Sequence, residues 1–161
     1  MAQTVYIARK GQDADFAAVT VDSLSVTEQS GVTATGSLVK LTETVAYDAF
    51  TDGGAAVGTY DLTVGTIPAG ATFLYSAVTA VTGFAGDTSA VLTIGDGTDV
   101  DRYNTSTINV FATAANGVAA GAPSGTVYHA AEKTPKLTVT TASDFTSVSA
   151  GSVTVELYYL T

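Results

Sequence analysis

The chain has 161 residues, no cysteine and a net charge of −9. Disulfide bonds, thiolate catalysis and cysteine-ligated zinc are therefore excluded, and the acidic charge disfavours binding to nucleic acid phosphates. No apolar run reaches the length of about 18 residues that marks a membrane span. The first ten residues also lack the apolar stretch of a secretory signal, which favours an unprocessed intracellular product.

The composition favours β-structure. Thr and Val are prominent in the sequence, and such β-branched residues suit pleated sheets better than helices. Charged residues make up 13% of the chain and hydrophobic residues 46%. A surface with so few charges is typical of chains that contact other chains. The alternative is an ordinary β-domain whose surface is covered with Thr and Ser.

The N-terminal part of the chain predicts strands at residues 4–8 and 16–21. Residues 28–37 are small, polar and glycine-containing, as in a linker or long loop. Residues 1–27 therefore have two interpretations, which both stay open. They form an extended arm that adds strands to a neighbour, or they are the first strands of the same sandwich. The predicted organisation is an arm or strands plus a linker over residues 1–36, and a β-sandwich over residues 37–161.

A period-two alternation begins after this linker. Val39, Leu41, Val45 and Tyr47 share one parity, with Glu43 among them. A carboxylate in an inward-facing row indicates a strand edge, a bulge or a paired acid, of which the edge or bulge is favoured. Alternation continues over residues 60–64, where Tyr60, Leu62 and Val64 share a parity.

The second half of the chain predicts further strands. Residues 72–84 are apolar on both parities, which indicates a central strand covered on both faces or a strand with a bulge. Shorter strands are predicted at residues 90–94, 108–112, 126–129 and 136–140. The closing strand, residues 153–160, alternates so that Tyr159 belongs to the core parity. Tyr158 faces the other way, where it would lie at a subunit contact.

Turn signals separate these strands. They occur at residues 51–54, 68–70, 86–87, 116–117 and 121–125, all rich in Gly, Asn, Asp or Pro. Short strands joined by frequent turns predict an all-β, antiparallel β-sandwich of jelly-roll-like type.

One acidic loop is the sharpest local motif. Asp96, Asp99 and Asp101 lie within six residues and would supply oxygen ligands to Ca²⁺. The spacing does not follow the EF-hand pattern, and Arg102 is available to neutralise one carboxylate. A solvated hairpin turn, in which Asp and Gly satisfy backbone requirements, is the favoured interpretation.

Catalysis has little support in the sequence. His129 is the only histidine, and no Gly-x-Ser-x-Gly elbow accompanies it. Phosphate-binding loops of the GxxxxGK[ST] and GxGxxG types are also missing. We therefore predict that the protein is not an enzyme, and we predict no catalytic, cofactor-binding or metal-binding residues and no cofactor.

An ordered set of short motifs resembles a class of structural proteins encoded among tailed-phage head genes, the capsid decoration or cement proteins. The motifs are GTYDL at 58–62, IPAGA at 67–71, GF at 83–84, LTIGD at 92–96, DVDRY at 99–103 and the closing strand at 151–159. The resemblance covers residues 37–161, is moderately specific in motif order and weak in each motif alone. It transfers no catalytic residue, and it leaves the N-terminal segment unmatched.

This resemblance implies a head-stabilising protein on the outer surface of the virion. It implies a homo-oligomer, a trimer, that binds the major capsid protein, with neither nucleic acid nor membrane as a partner. The alternative hypothesis is a virion spike or fibre head that binds a host-surface glycan. That alternative predicts a solvent-facing aromatic groove in the glycine-rich loops at residues 116–125.

Overall fold

The computed structural model describes residues 26–27, 33–34, 36–105, 107–111, 115–121 and 123–161. The chain divides into two compact units, Met1–Ser37 and Leu38–Thr161. In the first unit, β1 (Val26–Thr27) pairs antiparallel with β2 (Thr33–Ala34), so two residues of the predicted linker lie in a strand. The strands predicted at 4–8 and 16–21 lie outside the described residues.

The second unit is built from strands and two single-turn 3₁₀ helices, Tyr47–Ala49 and Phe145–Ser147. Its strands are β3 (Leu38–Ala46), β4 (Thr51–Asp52), β5 (Val57–Asp61), β6 (Thr72–Ala85), β7 (Ala90–Gly95), β8 (Ile108–Asn109), β9 (Ala115–Gly121), β10 (Lys136–Thr141) and β11 (Ala150–Leu160). Within the described parts of the chain, no helix is long and apolar enough to cross a membrane.

The strand order is that of a jelly roll. One sheet has the order β3-β11-β6-β9, and the other has the order β4-β5-β10-β7-β8. Without the two-residue β4, the described residues of this unit contain eight strands. Numbered from one to eight in chain order, these strands lie side by side in the order 1-8-3-6 in one sheet and 2-7-4-5 in the other. This order arises because most connections pass from one sheet to the other. Every strand pair is antiparallel. The predicted all-β, jelly-roll-like sandwich is confirmed, and the double Greek-key path identifies its type.

The core lies between the two sheets and follows the predicted parity. Val153, Val155, Leu157 and Tyr159 of β11 are all buried, at 5% exposure or less. Leu137 of β10 is fully buried on the facing sheet. Alternation therefore places one complete row of each central strand in the interior, where its apolar area is removed from water.

Bulges explain why β6 is apolar on both parities. Three register shifts against β11 each insert one extra residue into β6, so the inward-facing row changes parity along the strand. The buried positions are consequently Phe73, Ser76, Val78, Val81 and Phe84, spaced by two or three residues. The bulge interpretation of residues 72–84 is confirmed. Outside the bulges, this strand has one buried face and one solvent-facing face.

Glu43 combines two of the interpretations that its sequence position left open. It lies on β3, an edge strand of the four-stranded sheet, and it is also paired. Its Oε1 accepts from the Tyr60 hydroxyl and the Thr63 hydroxyl, both at 2.7 Å. Its Oε2 accepts from the backbone N–H groups of Thr63 at 2.8 Å and Val64 at 3.0 Å. Because Tyr60 belongs to β5 of the other sheet, the carboxylate links the two layers at their margin.

Four local predictions were wrong. Residues 116–117 do not form a turn but lie inside β9. Residues 126–129 form no strand of their own, although Tyr128 bridges to Thr72 and flanking backbone groups bond to Phe73 and Ala71. Among the described residues of 108–112, the strand shortens to Ile108–Asn109. Val64 lies beyond the end of β5 and is 45% exposed.

Candidate assembly surface

The outward face of the four-stranded sheet carries two transverse rows of large side chains at one end. Strand register places Leu38 opposite Leu160, Leu160 opposite Thr72, and Thr72 opposite Tyr128. The next outward row contains Lys40, Tyr158 and Tyr75 in register. Side chains at register positions of antiparallel strands project to the same side of a sheet, so these residues form one continuous surface.

We call Leu38, Tyr75, Tyr128, Tyr158 and Leu160 the tyrosine face. Leu38 is 64% exposed, Tyr128 53%, Tyr75 44% and Leu160 42%, while Tyr158 is half-buried beneath its neighbours. Large apolar side chains grouped in this way on one surface are typical of an interaction site, whereas scattered ones are not. The outward orientation predicted for Tyr158 is confirmed.

Tyr75 and Tyr158 stack on each other at the centre of this surface. Their ring centroids are 4.4 Å apart and their planes differ by 13°. Stacking and cross-strand pairing hold both rings in place before any partner arrives. Because little side-chain entropy is left to lose, such a pair is well suited to burial in an interface.

The charged groups beside the tyrosine face are paired with each other and with the Tyr158 hydroxyl. The Tyr158 hydroxyl donates to Glu156 Oε2, and Lys40 Nζ donates to Glu156 Oε1 at 2.9 Å. The hydrogen bond from Tyr158, followed by the one from Lys40, lowers the pKa of Glu156. Glu156 in turn raises the pKa of the Tyr158 hydroxyl. Covering this surface would leave no charge unpaired, which is the main cost of burying polar groups.

The remainder of the outward face is small and uncharged. The outward row next to Lys40, Tyr158 and Tyr75 consists of Thr42, Glu156 and Ala77, and the row after it consists of Thr44, Thr154 and Ala80. The Thr44 and Thr154 hydroxyls are 2.8 Å apart in a hydrogen bond. The ion pair of Lys40 with Glu156 is thus the only charge on the outward rows of β3, β11 and β6. A chain with net charge −9 therefore has one neutral sheet face.

The acidic loop forms a turn, as its composition favoured, but the Asp96 side chain is buried rather than solvated. Asp96 Oδ1 accepts from the backbone N–H groups of Thr98 at 3.1 Å and Asp99 at 3.0 Å. Its Oδ2 lies 3.1 Å from Lys133 Nζ and 3.5 Å from Arg102 Nε. Burial raises the pKa of Asp96, but the loop hydrogen bonds and Lys133 together lower it. Within the described ranges, no group of three acidic, His or Cys side chains is arranged to hold a metal ion.

His129 lies in the interior rather than in a cleft. It is 2% exposed, and its ring centroid is 5.7 Å from that of Tyr103, which is 1% exposed. Among the described protein groups, none hydrogen-bonds to either imidazole nitrogen or to the Tyr103 hydroxyl. Its backbone is held by β-type bonds with Ala71 and Gly70, at 2.9 and 2.7 Å. The side chain therefore acts here as part of the packed interior.

Burial makes His129 a source of acid sensitivity. Burial first, and then the positive charge of Arg102, lower its pKa below the ordinary value of 6.5, with Lys133 acting in the same direction and Asp96 against them. The unfolded chain then binds this proton before the folded chain does. We expect the free energy of unfolding to fall as the pH drops below about 6.5, and His129→Phe to remove this dependence between pH 7 and 5. Urea unfolding at both pH values measures it, and an unchanged pH dependence in the variant would exclude His129 as its source.

Sequence reasoning found one member of the tyrosine face and missed the others. Tyr158 was identified from its parity, and Leu160 carries the same parity signal one step further along β11. Tyr75 lies next to the first bulge of β6, so simple alternation does not show which way it points. Leu38 and Tyr128 reach the same surface only through strand pairing, which has no local sequence signal.

Comparison with known proteins gives little beyond this geometry. No protein-family model and no curated protein matches the chain. Among solved structures, the chain is similar to one from the capsid asymmetric unit of cyanophage Pam1, at 16% sequence identity and a TM-score of 0.44. The alignment covers 95% of this chain and 96% of that chain. A TM-score at this level is too low to support an argument, so the class that the chain's own topology defines is an antiparallel jelly-roll domain.

Proposed function

We propose that this protein is a non-enzymatic structural protein of a tailed-phage virion that decorates the outer surface of the capsid. The observation that carries the proposal is the neutral outward face of the four-stranded sheet with its preformed tyrosine stack. A surface of this kind suits protein–protein assembly, because interface centres are enriched in Tyr and depleted in charge. The order of the motifs from residue 58 to residue 159 supports the placement in a phage head.

The partner in this proposal is the major capsid protein, and the action is mechanical. A decoration protein that contacts neighbouring capsomers adds binding free energy to the shell. If several copies are linked in a homo-oligomer, such as a trimer, each later contact forms at a high effective concentration. Weak individual contacts then suffice. The jelly roll suits this role, because its two packed sheets form a stiff unit, although the fold alone hosts several other functions.

The structure does not place a loop over most of the segment where the glycan-binding alternative predicted its site. That alternative required aromatic side chains in loops at residues 116–125, but Ala115–Gly121 is strand β9. The exposed tyrosines of the described residues lie instead on a sheet face, at Tyr75 and Tyr128. No specific observation favours a sugar groove over an assembly surface.

Labelling of intact particles tests the proposal. In phage particles that carry an epitope-tagged copy of the chain, we expect electron microscopy of gold-labelled antibody to show label distributed over the head. Heads assembled without the protein should release their DNA at a lower temperature than decorated heads, because contacts between capsomers are lost. Label confined to the tail or collar, with unchanged head stability, would contradict a decoration function.

A further inference from the structure

We propose that the tyrosine face binds a second copy of this chain. The inference rests on the assembly function proposed above and assigns this surface to the homo-oligomer, so that the capsid protein is contacted through another surface. It is drawn from the distribution of charge over the described domain, from the pairing of Lys40 and the Tyr158 hydroxyl with Glu156, and from the stacking of Tyr75 on Tyr158.

The charge of the chain restricts where two copies can meet. With 15 acidic and 6 basic residues, most surfaces of one copy repel the same surfaces of another. The basic side chains of the domain are already committed: Lys136 lies 3.2 Å from Asp61, and Lys133 and Arg102 pair with Asp96. No basic patch is left among the described residues to attract an acidic copy. The neutral sheet face is the surface on which two copies approach without like charges opposed.

The same face is complementary to itself, so the contact proposed here is an isologous dimer contact, whereas a trimer would need two different surfaces. It presents the Tyr75–Tyr158 stack and the leucines Leu38 and Leu160, so an identical face supplies the aromatic and aliphatic partners that these side chains require. The ion pair of Lys40 with Glu156 is closed within each copy. This ion pair therefore needs no opposite charge from the partner, and it does not favour a charged partner over an uncharged one. Apolar surfaces of this kind, with their charges paired internally, are characteristic of contacts between identical subunits.

Ionic strength distinguishes this partner from a basic one. Two copies of an acidic chain repel each other at long range, and added salt screens that repulsion. We therefore expect self-association to strengthen as salt rises. A contact with a basic partner would instead weaken under the same change.

Two substitutions that add the same charge provide a matched test. Tyr75→Glu places a carboxylate at the centre of the tyrosine face. Val100→Glu places one at a 55% exposed position in the loop between β7 and β8. In sedimentation velocity of the full chain, we expect the wild type and Val100→Glu to self-associate alike. Tyr75→Glu should raise the dissociation constant at least about tenfold, as expected when a central contact residue is lost.

Thermal unfolding of both variants shows whether either change disturbs the fold, and Tyr75→Phe gives a second comparison that keeps the stack without its hydroxyl. We expect Tyr75→Phe to self-associate like the wild type. Equal association of Tyr75→Glu and Val100→Glu would overturn the proposal, as would a wild-type chain that stays monomeric at all concentrations.

Binding to purified undecorated heads separates this inference from the proposed function. A monomeric wild type whose head binding is lost in Tyr75→Glu would assign the face to the capsid shell, which overturns the inference and leaves the decoration function standing. Self-association that is sensitive to Tyr75→Glu, without head binding, would support the inference and contradict the decoration function.

Discussion

Replacing Gly95 by alanine is expected to lower the free energy of unfolding by about 3 kcal/mol, which is at the upper end of the usual cost of overpacking. A Cβ at this position would lie 2.0 Å from the carbonyl oxygen of Asp99 and 2.6 Å from the carbonyl carbon of Val100. Both are backbone atoms, so no side-chain rotation relieves the contact. The loop from Asp96 to Asp101 would have to move away from the end of β7.

That loop is held in place by bonds on both sides of the glycine. The backbone N–H of Asp96 donates to Asp99 at 3.0 Å, and the N–H of Tyr103 donates to Ile94 at 2.9 Å. The N–H of Ile94 donates to the side chain of the buried Asn104 at 2.7 Å. Displacing the loop would break several of these bonds and would disturb the ion pairs of Asp96. A small local shift of the loop therefore cannot relieve the destabilisation caused by Gly95→Ala.

Gly125→Ala is the matched control, because nothing lies within 4 Å of a Cβ at that position. We expect this change to alter the free energy of unfolding by no more than about 0.5 kcal/mol. Urea unfolding followed by tyrosine fluorescence gives both values. Similar stabilities for the two variants would show that the close approach of the loop to Gly95 does not constrain the domain.

Replacing Glu43 by alanine is expected to cost about 2 kcal/mol, since a hydrogen bond to a charged group contributes about 1.5–3 kcal/mol and the donors here are partly solvated. The carboxylate accepts four bonds, two of them from hydroxyls and two from backbone N–H groups. Glu43→Gln keeps the shape and part of the bonding, so we expect a smaller loss of about 1 kcal/mol at pH 7.

The Glu43 contribution depends on pH with a defined sign. Burial raises the pKa of this carboxyl group, but the hydrogen bonds from Thr63, Tyr60 and Val64 together lower it below the ordinary value of 4.5. A folded-state pKa below the unfolded value gives stability that is present above pH 4.5 and is lost as the pH falls through the folded-state value. The stability difference between wild type and Glu43→Gln should therefore shrink in acid. A difference that stays constant from pH 7 to pH 3 would exclude a bonded carboxylate as its source.

Much of the fold was predictable because burial in a sheet follows alternation. The period-two rows of β10 and β11 identified their buried apolar side chains correctly, since one face of each strand packs against the opposite sheet, although Thr138 on the other row of β10 is also buried. The length of the run at residues 72–84 also predicted a long strand. Its bulges were left as one of two interpretations, because both-parity apolar runs arise from burial on two faces as well as from a change of register.

The turn at the acidic loop was predicted correctly from its local chemistry, but the Asp96 side chain is buried rather than solvated. Asp96 caps a turn, as a short Asp- and Gly-rich segment favours. By contrast, the partners of Asp96 were only partly foreseen: Arg102 is a sequence neighbour, whereas Lys133 comes from a distant segment. Glu43 shows the same division, since its parity was visible and its bonding to β5 was not.

The sequence by itself determined an acidic all-β chain with few charged residues and an outward-facing Tyr158, because composition and period-two patterning are local properties. Only the tertiary structure decided the jelly-roll order, the stacking of Tyr158 on Tyr75 and the collection of Leu38, Tyr128 and Leu160 on the same surface. These depend on which strands pair and in which register, and pairing between segments far apart in the chain leaves no periodic signal in either one.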